Sequence, residues 1–259
     1  NADGATTAIE DTPTRDHSEN MFRHFGLHVD VADIENGAQA ITIKGHQNFK
    51  ACAIDVPGDP SSGAFPAVAA CITEGSDIVL PNVGINPRRT GIYTCLREMG
   101  ASIEFTNTRV QAGEAVADIH IKYEPLKGIT VPEELVPSMI DEFPVFAMAA
   151  ACANGVTKMI GLEELRVKES DRLAMIAKGL DACGVKLEMG EASLTIHGTG
   201  KPPAGGATVA TALDHRIAMA FLVLGGVSAQ PIAVDDASPI ATSFPGFAKL
   251  MNDLGGAIG

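Results

Sequence analysis

The chain has 259 residues, of which 46% are hydrophobic and 20% charged, and its formal net charge is −13. That balance belongs to an ordinary globular chain, long enough to bury a sizeable core as one large domain or two small ones. The acidic excess argues against nucleic acid or an anionic membrane as a partner, though a local group of Arg and Lys can still hold a small anion. Apolar runs stop at about ten residues, too short to span a bilayer.

In chain order the sequence repeats a unit. Residues 18–25 have helical apolar spacing and lead through Gly26 into Leu27-His28-Val29-Asp30-Val31, a strand. This reads as the second half of a unit whose buried helix is absent, and residues before Asn1 are expected to be missing. The first full unit starts near residue 48. Its polar stretch Gly58-Asp59-Pro60-Ser61-Ser62-Gly63 runs into an uncharged helix at 64–72. A β-branched strand at 78–80 follows, then an amphipathic helix with Ile92, Cys95, Leu96 and Met99 on one face, then Gly100 and a strand to Glu104.

The second unit repeats this order. Ser138-Met139-Ile140-Asp141-Glu142 leads into an uncharged helix at 143–152, a strand at 156–160, a helix carrying Leu173, Ile176 and Leu180, and a strand from Gly184 to Glu188. In the third, Leu213-Asp214-His215-Arg216 leads into an uncharged helix at 217–224 and a strand at 232–234. A helix carrying Phe244, Phe247, Met251 and Leu254 then precedes a strand over Gly255-Gly256-Ala257-Ile258.

A helix apolar on every side must be buried on every side. Its start has free N–H groups and the positive dipole end, so it is a place for anions. Three such helices are expected to run side by side, with amphipathic helices outside and sheet between, in a lobe of quasi-threefold symmetry. Their N-termini then emerge on one face.

Two segments carry most of the chemistry. In Glu163-Glu164-Leu165-Arg166-Val167-Lys168-Glu169-Ser170-Asp171-Arg172, Glu169 and Arg172 are three apart and share a helical face, with Ser170 or Glu169 as candidate cap. Cations beside a carboxylate suit acid/base work on an anion, since Lys and Arg hold phosphate or carboxylate while Glu moves the proton. In Asp214-His215-Arg216, Asp214 is the expected N-cap, and cations in a first turn oppose the dipole unless an anion sits there. Asp141 has the matching place in the second unit and is also expected to cap. Asp59, Ser61 and Ser62 read as caps and turn formers.

The seven His show no metal-ligand spacing, and no nucleophile elbow, phosphate-binding loop or dinucleotide fingerprint is present, so neither metal nor cofactor is expected. Cys52, Cys71, Cys95, Cys152 and Cys183 include no C-x-x-C pair. An odd count in a large chain favours reduced thiols and a cytoplasmic location.

These segments resemble the enolpyruvyl transferases, and among them the EPSP synthase family (3-phosphoshikimate 1-carboxyvinyltransferases). The resemblance rests on Leu165-Arg166-Val167-Lys168-Glu169-Ser170-Asp171-Arg172-Leu173 and Leu213-Asp214-His215-Arg216-Ile217-Ala218-Met219, supported by Asp55-Val56-Pro57-Gly58-Asp59-Pro60-Ser61-Ser62 and Thr242-Ser243-Phe244-Pro245. It covers essentially the whole chain, in order. It implies an α/β fold of repeated α/β units with buried central helices, an inside-out barrel-like lobe of three units. By that resemblance residues 1–47 are the remnant of a first lobe and residues 48–259 the second lobe. A missing N-terminal strand would complete that second lobe.

The activity implied is transfer of the enolpyruvyl group from phosphoenolpyruvate to the 5-hydroxyl of shikimate 3-phosphate. Carried over by motif, Asp141 is the base near the hydroxyl and Glu169 the proton-transfer partner at the methylene carbon. Arg15 and Lys168, with Asp141, contact shikimate 3-phosphate. Arg172 and Arg216 hold phosphoenolpyruvate, with His215 nearby. Ala241-Thr242-Ser243 stands where many members of the family carry a Lys that contacts phosphate, a departure from the family pattern. Further substrate-binding residues belong to the missing N-terminal lobe, so the chain alone is expected to be inactive. Two other readings stand beside this one: a UDP-N-acetylglucosamine enolpyruvyl transferase of the same fold, and a non-catalytic half-domain that needs a partner lobe.

Overall fold

The structure, a computed structural model, describes residues 2–259. It opens with β1 (Ala5–Glu10), α1 (His17–His24), β2 (Val29–Asp33) and β3 (Gln39–Lys44). Unit one follows with α2 (Pro60–Ile72), β4 (Asp77–Gly84), α3 (Gly91–Glu98), β5 (Ser102–Gln111) and β6 (Glu114–Lys122). Unit two has the short α4 (Val136–Met139), α5 (Phe143–Cys152), β7 (Asn154–Ile160), α6 (Arg172–Ala182), β8 (Lys186–Met189) and β9 (Ser193–Thr199). Unit three has β10 (Thr208–Val209), α7 (His215–Gly225), β11 (Ala233–Val234), α8 (Ile240–Ser243) and α9 (Phe247–Asp253).

The three uncharged segments form α2, α5 and α7, which all pack on one another. Helix α5 is buried at every residue from Phe143 to Ala151, and α7 is buried from Ile217 to Phe221 and again at Val223 and Leu224. The amphipathic α3 and α6 press their apolar faces inward, with Ile92, Cys95, Leu96 and Met99 fully buried on one and Leu173, Ile176 and Leu180 equally enclosed on the other. Gly179 sets how closely α6 approaches α7: a Cβ there would lie 2.2 Å from the Phe221 ring. That approach brings the first turn of α6 beside the first turn of α7.

The sheets show one wiring. In unit one the strand order is β4-β6-β5 and in unit two β7-β9-β8, with the last strand of each unit in the middle and antiparallel to both neighbours. Ahead of each buried helix, a parallel bridge joins the chain to the strand after it: Gly58 to Val83, and Lys127 and Thr130 to Asn154 and Lys158. Unit three keeps that parallel step as β10 and β11 and has no further strand among the described residues. Gly255 to Ile258, expected as a strand, has no regular structure. The helix expected from Phe244 begins only at Phe247, as α9, behind Pro245 and Gly246, and the short α8 precedes Phe244.

The opening copy holds more than the expected half. Its sheet runs β1-β3-β2, the same first-last-middle order as the full units, around α1. A buried central helix is not part of it among the described residues. The return strands β3, β6 and β9 lie outside the sequence expectations although their alternation is visible, as in Asp118-Ile119-His120-Ile121-Lys122 of β6.

An open groove of about 830 Å³ lies at the C-terminal ends of α2 and α7, lined by Pro66, Ile78, Ile232, Val234, Phe244 and Met251 among others. It is largely apolar and lies at the other end of the buried helices from the charged residues described next. Among the described residues no helix is long and apolar enough to cross a membrane.

Candidate active site

The starts of α2, α5 and α7 meet, and their polar residues form one network. At α7, Asp214 caps the helix as expected: its Oδ1 accepts from the Arg216 N–H at 2.9 Å. Its Oδ2 accepts from the Ser170 hydroxyl at 3.0 Å and from Arg172 Nε at 2.8 Å. At α2, Asp59 caps by accepting from the Ser61 and Ser62 N–H groups at 3.2 and 2.9 Å. At α5 the expected cap is absent. Glu142 is the residue before the helix, neither it nor Asp141 bonds the free N–H groups, and both side chains turn toward cations instead.

Asp141 is the hub. Its Oδ2 is 2.5 Å from Arg15 Nη2, and its Oδ1 is 3.1 Å from Arg172 Nη1 and 3.7 Å from Lys168 Nζ. Its backbone carbonyl accepts from Arg216 Nη1 at 3.0 Å. Burial opposes ionisation at Asp141, but the charges of Arg216, Lys168 and Arg15 and the Arg15 hydrogen bond outweigh it and hold the pKa down to about 2. Asp214 is shifted the same way: burial opposes its charge, and Arg172 more than compensates.

Arg172 is the most enclosed cation of the cluster, with 1% of its side chain exposed. Each guanidinium nitrogen donates to a carboxylate: Nε to Asp214, Nη1 to Asp141, and Nη2 to Glu169 at 2.5 Å. Three carboxylates thus occupy the group that the sequence expectation assigns to phosphoenolpyruvate. Arg216 differs. Only its Nη1 is bonded, to the Asp141 carbonyl and to Glu142 Oε1 at 3.2 Å, and among the described residues Nε and Nη2 have no acceptor.

Glu169 stands at the rim with 53% of its side chain exposed, and Lys168 also bonds Glu164 at 2.6 Å. His215 lies beside the cluster in the first turn of α7. Burial, and then the neighbouring Arg216 charge, push its pKa below the usual histidine value. Neither Ser170 nor Glu169 caps α6; Asp171 does, accepting from the Ala174 N–H at 2.9 Å. Arg166 ties that segment to the turn before β9, donating to Asp171 and to the Gly190 and Glu191 carbonyls.

Arg15 arrives from the opening copy, on a segment held by unit one. Arg88 donates to the Thr14 carbonyl at 2.8 Å and Asn86 to Asp16 at 2.6 Å. The structure thus brings together all seven residues singled out in the sequence: Arg15, Asp141, Lys168, Glu169, Arg172, His215 and Arg216. It adds Glu142 and Arg89, and also Ser61, which the sequence marks only as a cap or turn former. Arg89 Nη2 donates to Ser61 Oγ at 2.8 Å and to Asp59 at 2.9 Å. Glu142 had one signal, a second carboxylate at the mouth of an uncharged helix.

The cysteines stay outside this cluster. All five are free thiols, and burial pushes Cys71, Cys95 and Cys152 up to about 12, which makes them inert.

A lobe of βα repeats around three buried helices, with cations gathered at their starts, is the architecture of an enolpyruvyl transferase. It superposes with TM-score 0.71 on the enolpyruvyl transferase NikO of Streptomyces tendae at 17% identity, over 98% of this chain and 56% of that one. It superposes with TM-score 0.91 on the EPSP synthase of Acinetobacter baumannii, at 45% identity over 98% of this chain and 57% of that one. The sequence model of the family described as EPSP synthase (3-phosphoshikimate 1-carboxyvinyltransferase) matches residues 1–251. The chain is 57% identical over 258 residues to the 3-phosphoshikimate 1-carboxyvinyltransferase of Paramagnetospirillum magneticum, over 100% of its own length and 58% of that protein's. The chain belongs to the EPSP synthase family, and it spans a little over half the length of these relatives.

Proposed function

We propose that the chain carries one wall of an enolpyruvyl-transfer site, in which phosphoenolpyruvate gives its enolpyruvyl group to the 5-hydroxyl of shikimate 3-phosphate. The opposite wall would come from the N-terminal lobe, the part of the family's length that this chain does not span. The observation that carries the reading is the convergence of Arg15, Lys168 and Arg216 on Asp141 at the starts of the buried helices. Two anionic substrates need such a cationic bay.

In this reading Arg15 and Lys168 take the phosphate of shikimate 3-phosphate. At a pKa of about 2, Asp141 is a weak base at neutral pH. Transfer of those cations to the substrate phosphate would raise it as the hydroxyl arrives. The hydroxyl gives its proton to Asp141 while its oxygen bonds to the enol carbon of phosphoenolpyruvate, and Glu169 protonates the methylene carbon. The tetrahedral adduct then expels inorganic phosphate, which carries off the proton taken up by Asp141, and the new methyl group returns a proton to Glu169 as the double bond re-forms. Arg216 offers its open Nε and Nη2 to phosphoenolpyruvate, with His215 beside it. Arg172 joins only when Glu169 leaves its Nη2.

A single wall leaves the reaction open to water and lacks the rest of the phosphate ligands, so the chain alone is inactive. The apolar groove and the two-stranded sheet of unit three support a strand from outside this chain completing that unit. The free thiols support a cytoplasmic setting.

The test is phosphate release from both substrates by the purified chain, alone and with the separately produced N-terminal lobe of a full-length relative. No release alone and release on reconstitution is the expected result. Release by the chain alone at the rate of a full-length relative overturns the one-wall reading. Calorimetry on the reconstituted pair that finds UDP-N-acetylglucosamine bound in place of shikimate 3-phosphate overturns the substrate assignment.

A further inference from the structure

We infer that Glu142 is a positioning residue, which fixes the Arg216 guanidinium so that its open edge faces the anion site. The inference rests on the reading of Arg216 as the cation for phosphoenolpyruvate.

Glu142 is placed where a cap belongs and does not cap. Its side chain is 2% exposed, on the buried side of the cluster, while Asp141 beside it is 14% exposed and faces the cations at the surface. A carboxylate so enclosed is costly unless charge and hydrogen bonds meet it. Burial does push its pKa above the usual carboxylate value, with the Ser61 hydroxyl and the charges of Arg216 and Arg89 acting the other way.

The geometry shows what that enclosed carboxylate does. Glu142 Oε1 lies 3.2 Å from Arg216 Nη1, and the same nitrogen donates to the Asp141 carbonyl at 3.0 Å. One nitrogen is thereby held from two sides, and the planar guanidinium cannot turn about its long axis. The edge formed by Nε and Nη2 is left without a protein acceptor among the described residues. That edge matches the two oxygens of a carboxylate or phosphate.

Glu142 is itself held. Ser61, at the start of α2, and the Arg89 charge both favour the ionised form of Glu142, and Ser61 accepts from Arg89 Nη2 at 2.8 Å. The group of Arg89, Ser61, Glu142 and Arg216 gathers the starts of α2, α5 and α7. No member of it except Arg216 has to touch substrate. A side chain that must hold a cation still, while keeping its outer face free, is best placed behind it and away from water. Glu142 occupies that position, and Asp141, one residue earlier, cannot do so because it is drawn to Arg15, Lys168 and Arg172.

The test combines nitrogen NMR with binding. In the 259-residue chain the Arg216 Nη1–H signals, assigned by their loss in Arg216→Lys, are expected to be resolved and slow to exchange, because both acceptors meet that nitrogen. Glu142→Ala is expected to speed that exchange by about ten-fold, the scale of one lost charged hydrogen bond, and Glu142→Gln, which keeps shape and one bond, by less. Unchanged exchange in both variants overturns the proposal. Glu142→Gln is the shape-conserving variant if Glu142→Ala fails to fold. In the chain reconstituted with the N-terminal lobe of a relative, Glu142→Gln is expected to raise KM for phosphoenolpyruvate by about ten-fold and leave that for shikimate 3-phosphate unchanged. Equal loss for both substrates marks a merely structural tie and overturns the proposal. Faster exchange with no change in either KM supports the hold on Arg216 and removes Arg216 from the phosphoenolpyruvate reading.

Discussion

The starts of α2 and α5 hold the same place in the repeat and are built in opposite ways. At α2, Asp59 closes the helix by accepting from two backbone N–H groups, and Arg89 backs it. At α5 no side chain closes the helix, and Asp141 and Glu142 pair with four cations from three other segments. A carboxylate used as a cap is fixed by local geometry. A carboxylate released from capping can be held by charge instead, and a ligand carrying charge of its own can then compete for its partners. The α7 start combines both, because Asp214 caps with one oxygen and grips Arg172 with the other.

The largest effect expected from breaking this arrangement lies at Arg172. Arg172→Met would leave Asp214, which is fully buried, without its cation. Removing one partner of a buried pair costs about 3–5 kcal/mol. A urea unfolding series should show that loss, and Asp214→Asn added to Arg172→Met should recover part of it. A loss near zero would mean that water reaches Asp214 and that the α7 start is not sealed.

The pH dependence separates the two starts next. The Asp141 pKa is lowered, to about 2, so its stabilising effect is fully present above the unfolded value near 3.8 and is lost as pH falls through 2. The shift corresponds to about 2 kcal/mol. Chemical denaturation of the wild-type chain should therefore weaken between pH 4 and pH 2. Asp141→Asn should flatten that part of the profile. An identical slope in the variant would show that the cations around Asp141 do not bind its charge.

The buried helices were legible because their signal is local: an uncharged run behind a polar start has few other solutions. The α5 boundaries follow from the sequence to the residue. The return strands do alternate, as from Asp118 to Lys122 in β6, but they fall after the strand at which each expected unit ends, and β10, at two residues, carries no periodicity. At the site, residue types and membership were readable, but partners were not. Arg172 reaches carboxylates 31 and 42 positions away, at the starts of α5 and α7, because α6 packs on both of those helices. Glu142 was hidden by Asp141. In sequence two adjacent acids before a helix look alike, and only burial from α2 and α7 assigns one to the surface and the other to the interior.

The smallest effect tests capping itself. Asp59→Ala removes the acceptor for the Ser61 and Ser62 N–H groups and should cost about 1 kcal/mol. Amide exchange is the sharper measure. In Asp59→Ala the first turn of α2 should exchange faster, with the effect confined to the Ser61 and Ser62 amides and those that follow. In Asp141→Asn the first turn of α5 should keep its wild-type rates, since no cap bond exists there to break. Faster exchange at Phe143 and Val145 in Asp141→Asn would mean that Asp141 closes its helix in solution. The contrast between the two starts would then collapse into one shared design.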